Sequence, residues 1–191
     1  MRVFVTGATG FIGSAVVREL IGAGHQVVGL ARSDKSANAL KVAGAEVHRG
    51  TLDDLDSLRS GAAAADGVIH LAFKHDIMFT DYNGAVTADL RAVEAMGAVL
   101  EGSGKPFVIT SGTMMLTFVL PPGQLGTEKD VVNASVPRGA AENVVIALAE
   151  RGVRRVARGN HTAQALAEPD LNLSAHLGSH HPAVGLIPIC Q

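Results

Sequence analysis

Three glycines, Gly7, Gly10 and Gly13, follow the first apolar run of the chain and constrain its fold more than any other feature. Residues 3–6 before them have the composition of a buried strand, and helical apolar spacing begins at Phe11. Between a strand and a helix, the first glycine suits a tight turn, the second a close approach of the backbone to a ligand, and the third close helix packing. The alternative is a glycine-rich turn that binds nothing.

Short β-branched runs alternate with helical patterns along the following residues, which favours parallel βαβ units. The predicted strands are 3–6, 26–30, 46–49, 67–71, 107–110 and 153–156, and the predicted helices are 11–23, 36–43, 54–64, 81–100 and 137–150. Six strands with five helical crossovers predict an α/β fold, a doubly wound parallel sheet of the Rossmann type with helices on both faces. In the first helix, Phe11 and Ile12 are expected to share one buried face with Val17 and Leu20.

The pattern ends near Arg158, which predicts a domain over 1–158 and an irregular C-terminal tail over 159–191. The tail holds four of the eight histidines, and His176, His180 and His181 have helical spacing. The lack of a persistent helical period and of nearby carboxylates and cysteines argues against a metal site there, so no metal is predicted. The single cysteine, Cys190, leaves no internal disulfide to form.

The overall charge and the lack of a long apolar segment restrict the partners of the chain. The net charge of −2 provides no field for nucleic acid phosphates or for an anionic membrane. No signal-peptide-like stretch and no apolar run of ~18 residues is present in the 191 residues. We therefore expect a cytoplasmic protein whose partner is a small-molecule substrate rather than nucleic acid or membrane.

A glycine turn between a strand and a helix of a parallel sheet is typical of dinucleotide binding. The residues after the second predicted strand bear on whether that dinucleotide would be NAD or NADP. A carboxylate about 20 residues beyond the glycines would bind the ribose hydroxyls of NAD, whereas an Arg accommodates the 2′-phosphate of NADP. Arg32 and Ser33 stand at this position and offer a guanidinium and a hydroxyl donor. The sequence therefore favours NADP as cofactor. NAD stays open, because Asp34 follows directly and Arg32 alone is also typical of a solvated loop.

Three segments together carry a resemblance to a known family. Residues 6–13, Thr-Gly-Ala-Thr-Gly-Phe-Ile-Gly, resemble the T-G-x-x-G-x-x-G motif of the extended and atypical short-chain dehydrogenases/reductases, the NAD-dependent epimerase/dehydratase group. Residues 50–53 resemble the family segment in which an Asp binds the adenine amino group, and residues 70–73 resemble its H-x-A segment beside the ribose and nicotinamide. The resemblance implies the following cofactor-binding residues: Gly7, Thr9, Gly10, Phe11, Ile12, Gly13, Arg32, Ser33, Asp53, Leu71, Ala72 and Phe73.

Two of the matched positions have structural alternatives. Asp53 is also typical of the residue that caps the N-terminus of a following helix. His70, at the end of a predicted strand, is also typical of a buried histidine whose hydrogen bonds are satisfied within the core.

The catalytic residues of the family are only partly present. Its members usually use a Tyr-x-x-x-Lys pair after the fifth strand, where a phenol moves a proton and the cation lowers its pKa. Arg138 and Glu142 occupy that spacing here, and an Arg does not exchange protons near neutral pH. An exposed i,i+4 ion pair is the favoured reading of these two residues. By resemblance, Ser111 and Thr113 are the candidate catalytic residues, because they lie where the family places a carbonyl-polarising hydroxyl.

The resemblance implies an NAD(P)(H)-binding oxidoreductase or epimerase/dehydratase-like enzyme that acts on a small carbonyl or alcohol. The alternative is a catalytically inactive or cofactor-sensing dinucleotide-binding module, favoured by the missing Tyr-x-x-x-Lys pair. Residues 74–76, Lys-His-Asp, are either a source of acid or base or a solvated loop cluster. The family also implies a substrate lobe, of which 159–191 would be a remnant, and a homodimer through helices 81–100 and 137–150.

Overall fold

The computed structural model describes residues 1–110, 112, 116, 119–121, 123–124, 126–127, 130 and 132–157. The predicted tail, 159–191, lies outside these residues. The described strands and helices, in chain order, are β1 (Arg2–Thr6), α1 (Phe11–Gly22), β2 (Gln26–Ala31), α2 (Asp34–Val42), β3 (Glu46–Arg49), α3 (Leu55–Ala63), β4 (Gly67–His70), α4 (Tyr82–Leu100), β5 (Pro106–Ile109), α5 (Gly139–Glu150) and β6 (Arg154–Ala157). Each predicted element is present, with its ends within two residues of the prediction.

The six strands form one parallel sheet in the order β3-β2-β1-β4-β5-β6. This order confirms the predicted doubly wound α/β fold. Because the chain leaves β1 toward β2 and later returns to the other side of β1 with β4, the strand order reverses between β1 and β4. Ligands of open α/β sheets bind at such a point, outside the carboxyl ends of the strands.

Helices cover both faces of the sheet, so its central strands are apolar on both sides. On one face, Phe4 and Phe107 belong to a buried cluster with Met96 of α4 and residues of α3 and α5. On the other face, Val5 belongs to a second cluster with Leu20 of α1 and residues of α2. Two buried layers therefore hold the carboxyl ends of the strands in fixed relative positions.

The first turn of α1 corrects the expectation that Phe11 and Ile12 lie in the core. Phe11 is 88% exposed and Ile12 is 56% exposed, whereas Val17 and Leu20 further along the helix are buried. The helix starts beyond the edge of the sheet, so its first turn has no strand beneath it. The apolar period of the sequence was correct, but only the later turns of the helix have a sheet to pack against.

Side chains define the starts of the three helices that follow. Ser33 caps α2 through a reciprocal pair of hydrogen bonds with Ser36, which is why α2 begins two residues before the predicted start. Asp54 caps α3 and Asp81 caps α4 by accepting backbone N–H groups. None of the helices in the described part of the chain is both long and apolar enough to cross a membrane.

Candidate functional site

A cleft of about 870 Å³ lies at the carboxyl edge of β1, β2, β3 and β4. Its walls are the glycine turn, the end of β2 with the start of α2, the segment after β3 and the segment after β4. Every residue that the sequence proposed for cofactor binding lines this cleft: Gly7, Thr9, Gly10, Phe11, Ile12, Gly13, Arg32, Ser33, Asp53, Leu71, Ala72 and Phe73. The structure thus brings together four segments that are separated along the chain.

The glycine turn requires glycine at its first and third glycine positions. Gly7 has φ of +67°, and a Cβ on it would lie 2.7 Å from the backbone nitrogen of Ala72. The tight turn predicted at Gly7 is thereby confirmed. A Cβ on Gly13 would overlap with the carbonyl oxygen of Gly7, so this glycine allows α1 to pack against the turn rather than against a strand.

The middle glycine differs, because its φ suits any residue and a Cβ on it would be tight rather than overlapping. Gly10 has φ of −75°, and a Cβ on it would meet only the carbonyl oxygen of Gly7, at 3.2 Å. Gly10 is the N-cap of α1 and provides no side-chain acceptor for the first N–H groups of that helix. These N–H groups and the positive end of the helix dipole therefore lie beside the cleft, where they favour a negatively charged ligand.

The end of β2 places a cation, Arg32, and a hydroxyl, Ser33, along the cleft. Nη1 of Arg32 donates to Oδ2 of Asp76 at 3.0 Å. Oγ of Ser33 accepts the backbone N–H of Ser36 at 3.2 Å, so this hydroxyl serves the start of α2 as well as facing the cleft. Asp34, the residue that kept NAD open, does not line the cleft and pairs with Arg49 on the surface.

The segment after β4 reaches across the cleft through two ion pairs, which we call the cleft pairs. One is Arg32–Asp76, and in the other Nζ of Lys74 donates to the carboxylate of Asp53 at 2.7 Å. In the sheet, β1 separates β4 from β2, and β1 and β2 separate β4 from β3, so each pair joins segments that follow strands that are not neighbours. Residues 74–76 are thus paired loop residues rather than only a solvated cluster.

These contacts decide one alternative from the sequence and set the charge of Asp76. Asp53 does not cap the following helix, because Asp54 does so. Its carboxylate instead faces the cleft and binds Lys74. At the other pair, the hydrogen bond from Arg32 lowers the pKa of Asp76 below its usual value of 3.8, so this carboxylate is ionised near neutral pH.

A buried chain of hydrogen bonds supports the floor of the cleft. The backbone N–H of Ala72 donates to Oγ1 of Thr6 at 3.3 Å, and Oγ1 lies 2.6 Å from Nδ1 of His70. Nε2 of the same ring lies 3.2 Å from Oδ1 of Asp89 on α4. If the carboxylate of Asp89 accepts from Nε2–H, then Nδ1 accepts from the hydroxyl of Thr6. Every group in this series of hydrogen bonds then has a partner. His70 is 1% exposed, so the alternative of a satisfied core histidine is correct.

Arg138 completes this chain at the start of α5. Its Nε donates to Oδ2 of Asp89 at 3.3 Å, its Nη2 donates to the carbonyl oxygen of Thr110 at 2.9 Å, and its Cζ lies 4.3 Å from the centre of the Phe73 ring. The exposed pair expected between Arg138 and Glu142 is therefore wrong, because both side chains are largely buried and Arg138 turns toward Asp89.

The backbone of Arg138 has φ of +65°, a left-handed conformation that is uncommon for residues other than glycine. The three contacts of its side chain hold it there. Arg138 thus joins α4, the end of β5 and the wall of the cleft, at the position where the family resemblance led us to expect a tyrosine. It is a fixed cation in this structure and not a proton donor.

Sequence reasoning missed Asp89 and did not foresee the role of Arg138. Asp89 was one polar residue near an apolar stripe, and the small residues Ala85 and Ala92 on the same buried face were not counted as core. A signal did exist: an acidic residue flanked by alanines at helical spacing predicts a buried carboxylate, which needs a cationic or N–H partner.

The candidate catalytic residues Ser111 and Thr113 lie outside the described residues. Thr110, just before them, lies beside His70, and its backbone N–H donates to the carbonyl oxygen of His70 at 3.1 Å. Within the part of the chain that the structure describes, no three His, Cys, Asp or Glu side chains come together as a metal ion would require. The histidines of the tail lie outside the described residues.

The cleft at the strand-order reversal and the glycine turn define the class of this chain as a Rossmann-type dinucleotide fold. Residues 3–113 match the sequence pattern of the NAD dependent epimerase/dehydratase family. Since this match spans more than half of the chain, the chain belongs to that family, as its three motifs predicted. The family match includes the glycine turn and all four segments around the cleft.

Comparison with individual proteins agrees with this membership. An uncharacterized protein of Schizosaccharomyces pombe is 48% identical over 155 residues, which is 81% of this chain and 51% of that protein. A short-chain dehydrogenase/reductase superfamily protein of Agrobacterium tumefaciens, solved with bound NAD, is 21% identical with a TM-score of 0.67 over 83% of this chain and 48% of that one. The triphenylmethane reductase of Citrobacter sp. complexed with NADP(H) is 19% identical with a TM-score of 0.55 over 77% and 46%. The chain spans about half the length of the curated relatives it matches.

Proposed function

We propose that this chain carries the NADP(H)-binding part of a short-chain-type oxidoreductase that acts on a small carbonyl or alcohol. The observation that supports it most is the cleft itself, which is lined by an uncapped helix start, a glycine turn and Arg32. The helix start suits a pyrophosphate, and the guanidinium at the end of β2 suits a 2′-phosphate. The two solved neighbours named above bind NAD and NADP(H), so the fold accommodates both and the residues of this chain decide between them.

The residues of the cleft fit such a ligand chemically. Asp53 has free lone pairs beside Lys74 for an adenine amino group, and the apolar side chains of Leu71 and Phe73 provide a surface for an aromatic ring. When bound, a reduced nicotinamide would supply hydride to a carbonyl carbon. In the proposal, Ser111 or Thr113 donates a hydrogen bond to the carbonyl oxygen and so polarises it.

The first experiment is a titration of the chain with NADPH and NADH, monitored by the fluorescence of the nicotinamide. We expect saturable binding of both, with NADPH the tighter. Equal or tighter binding of NADH would overturn the preference for NADP, and no binding of either would overturn the proposed function.

A matched pair of glycine variants tests whether binding uses the cleft. Gly10→Ala places a methyl group where the pyrophosphate would approach, and in the fold this group meets only the carbonyl oxygen of Gly7, at 3.2 Å, so the turn must shift by a few tenths of an ångström. We expect this change to weaken NADPH binding by about tenfold or more. Gly22→Ala, at the other end of the same helix, meets no atom within 4 Å and serves as the control. Unchanged binding by Gly10→Ala would place the ligand elsewhere.

A second candidate function is a dinucleotide-binding module without chemistry, and Arg138 is the observation that favours it. This residue occupies the position of a proton-donating tyrosine and is held by Asp89 and Thr110 instead. Turnover of NADPH with a panel of aldehydes and ketones separates the two functions. Binding without turnover of any of them would favour the module, and turnover abolished by Ser111→Ala or Thr113→Ala would favour the enzyme.

A further inference from the structure

Arg32, the residue proposed to recognise a 2′-phosphate, already has an anionic partner in this structure. Oδ2 of Asp76 lies 3.0 Å from its Nη1, and both side chains line the cleft. Asp76 lies on the segment after β4, and β1 separates β4 from β2, the strand that Arg32 follows. The pair therefore crosses the opening that the adenosine end of a dinucleotide would have to enter.

The pair is of a kind that a stronger anion can displace. The side chains of Arg32 and Asp76 are 69% and 53% exposed, and the contact uses one guanidinium nitrogen. Exposed pairs with one hydrogen bond contribute little to stability, because water solvates both ions well when they separate. A phosphate carries more charge and offers two oxygens to the guanidinium fork at once.

The other cleft pair, Lys74–Asp53, presents no such conflict. The adenine amino group is neutral, and the carboxylate of Asp53 has lone pairs for both Lys74 and that group. At Arg32, by contrast, the 2′-phosphate of the ligand and the carboxylate of Asp76 are both anions. Two anions that share one guanidinium at a few ångströms repel each other, which favours loss of the weaker contact.

We propose that Asp76 is a specificity-determining residue of the dinucleotide site, because its carboxylate competes with a 2′-phosphate for the guanidinium of Arg32. The inference rests on the proposed NADP(H) function. It implies that binding of a 2′-phosphate breaks the Arg32–Asp76 pair, whereas a dinucleotide without this phosphate leaves the pair in place. Asp76 thus narrows the difference in affinity between the two cofactors.

The test compares adenosine 2′,5′-bisphosphate with ADP, by calorimetric titration of the wild-type chain and of Asp76→Asn. Removal of the competing charge is expected to tighten binding of the 2′-phosphate ligand about fivefold, with ADP binding changed less than about twofold. Asp56→Asn is the control, because Asp56 forms a similar exposed pair with Arg59 on α3, away from the cleft. This control removes the same charge and is expected to leave both affinities unchanged.

A double variant identifies the group through which Asp76 acts. In an Arg32→Gln background, Asp76→Asn is expected to have no selective effect on the 2′-phosphate ligand. A selective effect that persists without Arg32 would overturn the competition. So would weaker binding of adenosine 2′,5′-bisphosphate by Asp76→Asn alone, because that result would make Asp76 a residue that orients Arg32.

The failure of this inference is distinguishable from the failure of the proposed function. If the wild-type chain binds NADPH and Asp76→Asn leaves the ratio of the two ligand affinities unchanged, only the competition is wrong. If the wild-type chain binds neither NADPH nor adenosine 2′,5′-bisphosphate, the proposed function is wrong and the competition falls with it. Thermal unfolding of each variant confirms that the fold is retained.

Discussion

The two sets of charged residues at the carboxyl edge of the sheet differ in their access to water. The side chains of the cleft pairs are 26–69% exposed, whereas those of His70 and Asp89 in the buried chain are 1% and 2% exposed. Both sets join segments that follow different strands. The exposed set can open because water replaces each lost partner, and the buried set cannot because no water is there to do so. One region is thus suited to exchange partners with a ligand, and the other to keep the edge of the sheet fixed.

The largest effect is expected from Asp89→Ala, which breaks the buried chain at its centre. Arg138 and His70 would both lose their acceptor, and a cation would remain buried without its counter-charge. Loss of one partner from a buried pair destabilises a protein by about 3–5 kcal/mol. Urea denaturation measures the change in unfolding free energy. Asp56→Ala, in an exposed pair in the first turn of α3, is the control and is expected to lower the unfolding free energy by less than about 1 kcal/mol.

A stability change for Asp89→Ala no larger than for Asp56→Ala would contradict the comparison between the two regions. Asp89→Asn separates shape from charge, because it keeps an acceptor oxygen for one neighbour. Its loss of stability is expected to fall between those of the other two variants.

A smaller loss is expected from Thr6→Val, which removes one hydroxyl from the same chain without a change in shape. Nδ1 of His70 and the backbone N–H of Ala72 would lose their partner. A buried polar group left unsatisfied costs about 1–3 kcal/mol. Thr6→Ser keeps the hydroxyl and is the control for urea denaturation. Equal losses for Val and Ser would show that the methyl group of Thr6 matters more than its hydrogen bonds.

Asp76→Asn is expected to leave the midpoint of thermal unfolding at the wild-type value, although it alters ligand affinity. The reason is that Arg32 and Asp76 are both well solvated when they separate. Calorimetric scans of the two proteins at neutral pH measure this. A clear fall in the midpoint would mean that the pair supports the fold and is not simply available to a ligand.

The smallest effect is a change in the titration of Asp76. Arg32 lowers the pKa of this carboxyl, so whatever the pair contributes is present above about pH 3.8 and is lost as pH falls through the lowered pKa. Arg32→Gln is expected to raise the pKa of Asp76 back toward 3.8, as measured by the carboxyl carbon shift in NMR. An unchanged pKa in Arg32→Gln would show that the pair does not persist in solution.

The local parts of the fold were predictable from the sequence because their causes are local. Strand and helix periods, the turn at Gly7 and the limits of the elements depend on neighbours within a few residues. The same holds for the segments around the cleft, since parallel strands bring their carboxyl ends to one edge. The position of Phe11 was not predictable in this way, because its burial depends on where the sheet ends beneath the helix.

The partners of the charged residues were not predictable either. His70 binds Asp89, 19 residues later, and Arg138 binds Asp89 across 49 residues. Arg32 and Asp76 are 44 residues apart. A helical or strand period contains no information about such contacts, so the sequence suggested a pair at i,i+4 for Arg138 where the fold provides a buried carboxylate.

By itself the sequence determined that this chain forms a doubly wound sheet, where its glycine turn lies and which segments line the cleft. Hydrophobic period and glycine spacing specify these features, because they act over one turn or one strand. Only the tertiary structure decided that Asp89 is buried between His70 and Arg138, and that Asp76 faces Arg32 across the cleft. The physical reason is that burial and charge pairing depend on which segments the strand order brings together.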